Sequence, residues 1–441
     1  MPIRKKFFVT LGLGFAALCF VAGTPGQGTL EGADAKPEPA AQTQARTPAE
    51  IARDEAFWFP VQTAFDIDRS VINLNNGGVH PAPRVVMNAV HRHLDFANGA
   101  PTNNSWGFLR PRKEYVRRLI ADAFGCSPEE IALTRNVTEA LQIPLMGLEL
   151  KPGDEVLTTS HDYPSMKNAL FQREKKDGVV VKMFSFPTPP ASLQELADLF
   201  EKNVTPKTKL ILVCHITNVT GQIFPIKEIC KMAKARGIEV VIDGAHSFGH
   251  FDFKLADLDC DIYGANLHKW MMAPIGNGFL YVRKEKIRKI WPLFPAPDPL
   301  GDDIRKFEHY GTQQEALWAA VPEAFAFHDG MGAKNKEERL RYLREYWRTR
   351  LSDLPGFRFL TSLDPRQSCG IGTFHIEGVE TAKLASYLNS RYKIITTSVK
   401  LPDDGPTALR ITPSVYTTLH ELDIFVRAVR EFVNNEGNAK E

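Results

Sequence analysis

The sequence predicts an α/β protein: a large domain on a mostly parallel, mixed sheet, followed by a smaller C-terminal α/β domain. Three observations predict it. Between about residues 56 and 330, short apolar runs alternate with amphipathic helical stretches, the pattern of successive βαβ units. A long charged helical stretch follows, roughly Asn335–Asp353. Beyond it lies a second, shorter series of strand-like and helical runs. The 441 residues, 43% hydrophobic and 24% charged, suffice for more than one domain around a large core.

The N-terminus is set apart from both domains. Arg4, Lys5 and Lys6 precede an apolar run of 16 residues, Phe7–Ala22. The run is short for a membrane span and its charges lie only on the leading side, so residues 1–23 read as an export signal or an N-terminal anchor. Arg4-Lys5-Lys6-Phe7-Phe8 resembles a twin-arginine export motif with lysine in the second place, and an ordinary secretory signal is the alternative. Either implies an exported, periplasmic protein, with membrane contact only through an uncleaved N-terminus. Residues 24–55 are rich in Ala, Gly, Pro, Thr and Gln and read as a low-complexity linker, the folded chain beginning near Ala49.

In the large domain, 56–330, the expected strands are Glu130–Thr134, Glu155–Thr159, Val179–Phe184, Lys209–His215, Glu239–Asp243, Asp261–Gly264 and Gly278–Val282. Thr138–Leu148 and Ile226–Ala235 are among the helices between them. The small domain, 331–441, should hold strands near Phe357–Leu360, Gly372–Ile376, Lys393–Thr397 and Ala408–Thr412, with helices near Thr381–Ser390 and from about Thr418. The first 25 or so residues of the large domain are candidates to pack on the small one. In such sheets ligands bind at the carboxyl ends of the strands, and the polar motifs of this chain fall there.

Composition excludes some functions. The formal net charge is +2, so no broad basic field for nucleic acid is implied. The six cysteines show no CxxC pair and no metal-ligand spacing. Cys214 and Cys260 sit in apolar contexts and read as buried free thiols.

Lys269 follows an apolar strand in Asn266-Leu267-His268-Lys269, and alone it would signify little. Asp243 ends another buried-type strand 26 residues earlier, in Asp243-Gly244-Ala245-His246. A buried carboxylate needs a positive or hydrogen-bonding partner. A protonated pyridine nitrogen is such a partner, with an attraction of roughly 4 kcal/mol at about 4 Å and an effective dielectric of about 20, before desolvation. Thr134-Arg135-Asn136-Val137-Thr138 turns from a strand into a helix, and a helix start favours an anion. The same residues also read as an ordinary capped helix.

In order and spacing these segments resemble the class-V aminotransferases, pyridoxal-phosphate (PLP) enzymes of the aspartate-aminotransferase fold, and within them the isopenicillin N epimerase-like branch. The resemblance runs from about residue 56 to 435. It includes Asn73-Leu74-Asn75-Asn76-Gly77-Gly78, Ser105-Trp106-Gly107-Phe108, Thr217-Asn218-Val219-Thr220-Gly221 and Leu409-Arg410-Ile411-Thr412-Pro413. It implies that Lys269 carries PLP as a Schiff base and that Asp243 holds the pyridinium nitrogen. His246 and Asn218 would meet the phenolic oxygen edge. Asn136, Val137 and Thr138 would cradle the phosphate, with Asn266 and His268 on the same side. Either His161 or Tyr163 would stack on the ring. Thr312 of a partner subunit would complete the phosphate site of a homodimer with shared active sites. Arg410 would bind the substrate α-carboxylate, with Asn76 and Trp106 as further pocket residues. No metal site is implied.

The substrate class is then an amino acid or amino-acid-like amine, acted on at Cα through an external aldimine. Transamination, epimerisation and elimination stay open. The cysteine that desulfurase relatives carry shortly before the carboxylate-binding arginine has no counterpart in Ile394–Leu409. A C–S lyase without that cysteine, or an inactive cofactor-binding relative, are the alternatives.

Overall fold

In the computed structural model, residues 46–438 are described; the expected export signal and most of the linker lie outside them. The chain is already helical before residue 56, at Pro48–Ile51 and Glu55–Gln62. Thr47 explains the early start. Its side chain accepts from the Glu50 N–H, while the Glu50 carboxylate accepts from the Thr47 N–H. The Ala- and Pro-rich composition of the preceding residues hides this capping box. Trp58, from the second helix, is fully buried.

Strand β1, Ile72–Asn73, comes next. Then follow β2 (Ile131–Thr134), β3 (Glu155–Thr159), β4 (Val180–Phe184), β5 (Thr208–Cys214), β6 (Glu239–Asp243), β7 (Ile262–Asn266) and β8 (Gly278–Val282). These last seven form one sheet in the order β2-β8-β7-β6-β5-β3-β4. All its pairings are parallel except those of β8, which runs against both β2 and β7. The mostly parallel, mixed sheet expected from the sequence is therefore present. Strands β2, β3, β7 and β8 are buried at every position, as strands covered on both faces must be. Apolar clusters fill both faces.

Helix Val321–Met331 ends at Gly332, and the charged helix Ala333–Thr349 begins. Its apolar side supplies Leu343 and Trp347 to a further core with Phe374 and Phe425. The second sheet comprises β9 (Phe357–Phe359), β10 (Gly372–Ile376), β12 (Thr397–Lys400) and β13 (Thr407–Ile411), antiparallel in the order β12-β13-β10-β9. Helices Thr381–Tyr392 and Leu419–Asn438 accompany it.

The single strand expected at Lys393–Thr397 is two. Short β11, Ile394–Ile395, pairs in parallel with β1, whereas β12 joins the second sheet. The chain changes partners at Thr396, which a one-dimensional pattern does not show. The β1–β11 pairing and a bridge between Asn75 and Thr412 seat the segment after residue 56 on the C-terminal part of the chain. Among the described residues, no helix is long and apolar enough to cross a membrane.

Candidate active site

Because β2, β3, β5, β6 and β7 point the same way, their carboxyl ends lie along one edge of the sheet. A cavity of about 340 Å³ opens there, within the ~300–1,000 Å³ usual for small-molecule sites. Its lining includes Thr138 after β2, Tyr163 after β3, Cys214 and Asn218 from the end of β5, Asp243 and His246 from β6, and Lys269 from the turn after β7.

Asp243 is 3% exposed, and Oδ1 accepts from the Ala245 N–H at 2.9 Å. That bond folds the strand end into the turn that delivers His246. Gly244 is required in this turn, because a Cβ there would come within 2.2 Å of the Tyr263 ring. The Lys269 Nζ lies 3.0 Å from His246 Nε2. Burial pushes the Asp243 carboxyl above its usual range and the Lys269 amine below its own, each opposed by the other's charge. His246 is held well below the ordinary imidazole value, first by burial and then by the Lys269 and Arg410 charges.

The turn after β2 is a capped helix start bordering the cavity. Asn136 Oδ1 accepts from the Glu139 N–H at 3.0 Å, and Asn266 Oδ1 accepts from the Val137 N–H at 2.9 Å. The side chains of Asn136 and Asn266 thus build the helix start. The remaining first-turn N–H groups have no partner inside the helix. His268 also borders the cavity, its Nδ1 3.2 Å from the Asn277 carbonyl, and burial lowers its pKa.

Arg410, on β13, is 5% exposed. Nη1 donates to the Asn218 carbonyl and Nη2 to Asn75 Oδ1, both at 2.8 Å. Nε has no partner, and among the described residues no carboxylate pairs with this guanidinium. Burial lowers its pKa to about 10. An uncompensated buried cation is costly, so the arrangement favours an anion beside it.

Several expected residues stand elsewhere. Asn76 is absent from the cavity lining, and its side chain is fully engaged. Its nitrogen donates to the Asn73 and Thr412 carbonyls, and its oxygen accepts from Asn73 and the Tyr416 hydroxyl. Its neighbour Asn75 instead reaches Arg410. His161 is buried with its ring against Phe186, centroids 3.9 Å apart, and burial pushes its pKa down to about 4. Tyr163, not His161, borders the cavity. Trp106 and Thr312 line a separate cleft with Lys113 and Glu308. Trp106 comes from a π-helix, Thr102–Leu109, and is half exposed.

Sequence reasoning missed Asn75, Arg135 and the position of Cys214. Arg135 borders the cavity while paired with Glu139 at 2.7 Å and set over the Tyr310 ring at 4.9 Å. Cys214 lies opposite Asp243 in the β5–β6 register, so its place at a strand end was available as a signal. Burial and nearby Asp162 and Asp243 hold its thiol well above the ordinary value.

The residues present fit PLP. A buried carboxylate, a buried amine of lowered pKa and a helix start line one cavity. Two buried polar atoms of lining residues, Asn218 Oδ1 and His246 Nδ1, have no partner there.

The model of the family described as Aminotransferase class-V matches residues 72–428. The chain is 30% identical over 385 residues to isopenicillin N epimerase of Streptomyces clavuligerus, covering 83% of this chain and 96% of that one. It is 27% identical to a Synechocystis sp. protein named "Probable cysteine desulfurase", covering 84% and 93%. In structure it resembles a cysteine desulfurase of Escherichia coli, with a TM-score of 0.75 at 20% identity, covering 85% and 98%. With a family match over most of its length and a buried lysine–aspartate pair in one cavity, the chain belongs to the class-V aminotransferases and is an enzyme dependent on pyridoxal phosphate.

Proposed function

We propose that this enzyme works at Cα of an amino acid or amino-acid-like amine, with epimerisation as its outcome, the reaction named for the similar isopenicillin N epimerase. The observation that carries the substrate class is Arg410, a buried guanidinium without a carboxylate partner among the described residues, anchored on cavity-lining Asn218. Two parallel hydrogen bonds to an α-carboxylate would fix Cα relative to Lys269.

PLP, when bound, supplies an aldehyde that condenses with amines and a ring that draws electrons from Cα. Asp243 would keep a proton at the pyridine nitrogen. Thr138 and the helix start at Val137, with Asn266 and His268, would hold the phosphate. Asn218 and His246 would face the phenolic oxygen. Tyr163 is favoured over His161 to cover the ring, because it borders the cavity. Lys269, with its proton affinity reduced by burial, would carry the cofactor and then take the proton from Cα. Epimerisation needs a second group to return a proton from the opposite side, and the Tyr163 phenol is proposed for it.

The test is a screen of D- and L-amino acids with chiral, keto-acid and sulfide readouts. Interconversion of enantiomers, with solvent deuterium entering Cα, supports the reading. Keto acid with amino-group transfer replaces it by transamination. Sulfide release replaces it by the second reading, C–S elimination, which the desulfurase-named relative favours. The turn between β12 and β13, where Asp403 and Asp404 stand and no cysteine does, argues against a desulfurase that takes sulfur onto a cysteine there and leaves elimination open.

The working form is proposed to be a homodimer with shared sites. In support, Trp106, Phe108 and Ile275 are exposed, and Ile275 borders the cavity. Mixing inactive Lys269→Ala and Thr312→Ala subunits tests sharing: restored activity supports it. Export is proposed from Arg4–Ala22 alone, and cell fractionation tests it.

A further inference from the structure

We propose that His250, which does not line the cavity, is a positioning residue that fixes the Lys269–His246 pair and couples it to the strand carrying Arg410. The inference rests on Lys269 as the cofactor-bearing residue.

His250 is 1% exposed. Its Nε2 accepts from the Gly370 N–H at 2.9 Å. That nitrogen must therefore be unprotonated, which puts the ring proton on Nδ1. Nδ1 lies 2.8 Å from the His246 carbonyl and donates to it. The ring faces Trp270, the residue after Lys269, with centroids 3.7 Å apart and planes 5° from parallel. The Trp270 carbonyl in turn accepts from the Lys336 Nζ. Burial, with Lys336, Arg341 and Arg344 nearby, keeps the imidazole neutral, as both hydrogen bonds require.

One imidazole thus holds the backbone of His246 and the side chain beside Lys269. These two residues meet at 3.0 Å in the cavity. The circuit is closed: Lys269 to His246, His246 to His250, His250 to Trp270, and Trp270 back to Lys269 through the chain. Its exit is Gly370, two residues before β10, where Thr373 stands opposite Arg410. A Cβ at position 370 would lie 3.1 Å from His250 Nε2 and 2.9 Å from Leu340, so glycine permits this approach. A displacement of β13 by a bound carboxylate would reach the Lys269–His246 contact along this path.

The test uses the holoenzyme and follows the pH titration of its visible absorption band, alongside kcat and KM. His250→Phe keeps a flat ring for Trp270 and loses both hydrogen bonds. The titration midpoint is expected to move by about half a unit or more, and kcat to fall about tenfold, the size of effect one hydrogen bond gives. His250→Gln presents a donor and an acceptor on one planar group and should return the midpoint toward wild type. A purely structural role would lower the melting temperature and leave the midpoint alone. A folded His250→Phe with wild-type midpoint and kcat overturns the proposal, as does a Gln variant as impaired as Phe. If His250→Phe does not fold, Trp270→Leu carries the test: a shifted midpoint supports the circuit and an unshifted one overturns it. Wild-type protein without a visible band would instead sink the cofactor assignment of Lys269 itself.

Discussion

Lys269 Nζ and His246 Nε2 lie 3.0 Å apart, although they belong to the ends of different strands. The amine therefore meets a neutral imidazole on one side and the Asp243 charge on another. Lys269→Ala is expected to remove the visible band of the purified protein and to lower turnover by at least ~10²–10⁴-fold, the usual weight of a positioned acid–base group. A variant that keeps both the band and the rate would remove Lys269 from the chemistry.

Asp243→Asn keeps the shape of the side chain and deletes its charge. The lost attraction of about 4 kcal/mol is an upper bound, so kcat is expected to fall by up to roughly 10³-fold. Retained cofactor with an unchanged kcat would show that Asp243 does not serve the pyridine nitrogen.

Arg410→Lys cannot make a two-pronged contact and should raise KM substantially with a smaller change in kcat. Asn75→Ala leaves the guanidinium in place and removes its Nη2 acceptor. Hydrogen bonds to charged groups are worth about 1.5–3 kcal/mol, so KM should rise roughly ten- to hundredfold. Unaltered steady-state kinetics in both variants would take Arg410 out of substrate binding.

These residues also mark what the sequence could convey. The seven large-sheet strands were legible because each is a short apolar run closed by a polar turn, and Asp243 and Lys269 were legible because they stand at those closures. Asn75 and Asn76 were not separable in this way. Adjacent asparagines look alike in sequence, and only the partner strand decides which meets Arg410 and which is consumed by Thr412 and Tyr416. The split of β11 from β12 was hidden for the same reason, since it depends on which strand lies alongside. His161 and Tyr163 share one loop, and the packing of Phe186 separates them.

Lys336 gives a pH-dependent prediction away from the cavity. It is 1% exposed, and burial lowers its pKa to about 7. Between pH 7 and its ordinary value, 10.5, the unfolded chain binds the proton that the folded chain does not. Stability from this group therefore rises with pH in that window, by up to about 1.4 kcal/mol per unit. The cost of burying the charge is fully present below pH 7. Lys336→Met should flatten this slope, with its stability relative to wild type highest near pH 6 and declining toward pH 10. Urea denaturation at pH 6, 8 and 10 checks it; a constant difference would mean that Lys336 does not titrate in that window.

The hydrogen bond from Arg410 to Asn75 spans 335 positions, and Ile72 pairs with Ile394 close by. During synthesis, the beginning of the folded region must wait for almost its last strand. A chain halted just before β13 would already contain Lys269, Asp243 and the helix start at Val137. It would lack β13 and with it Arg410, the residue we propose grips a substrate carboxylate. On that proposal the order of translation separates the two halves of the site in time: the residues assigned to the cofactor come first, and the carboxylate grip forms only once Asn75 and Arg410 have met.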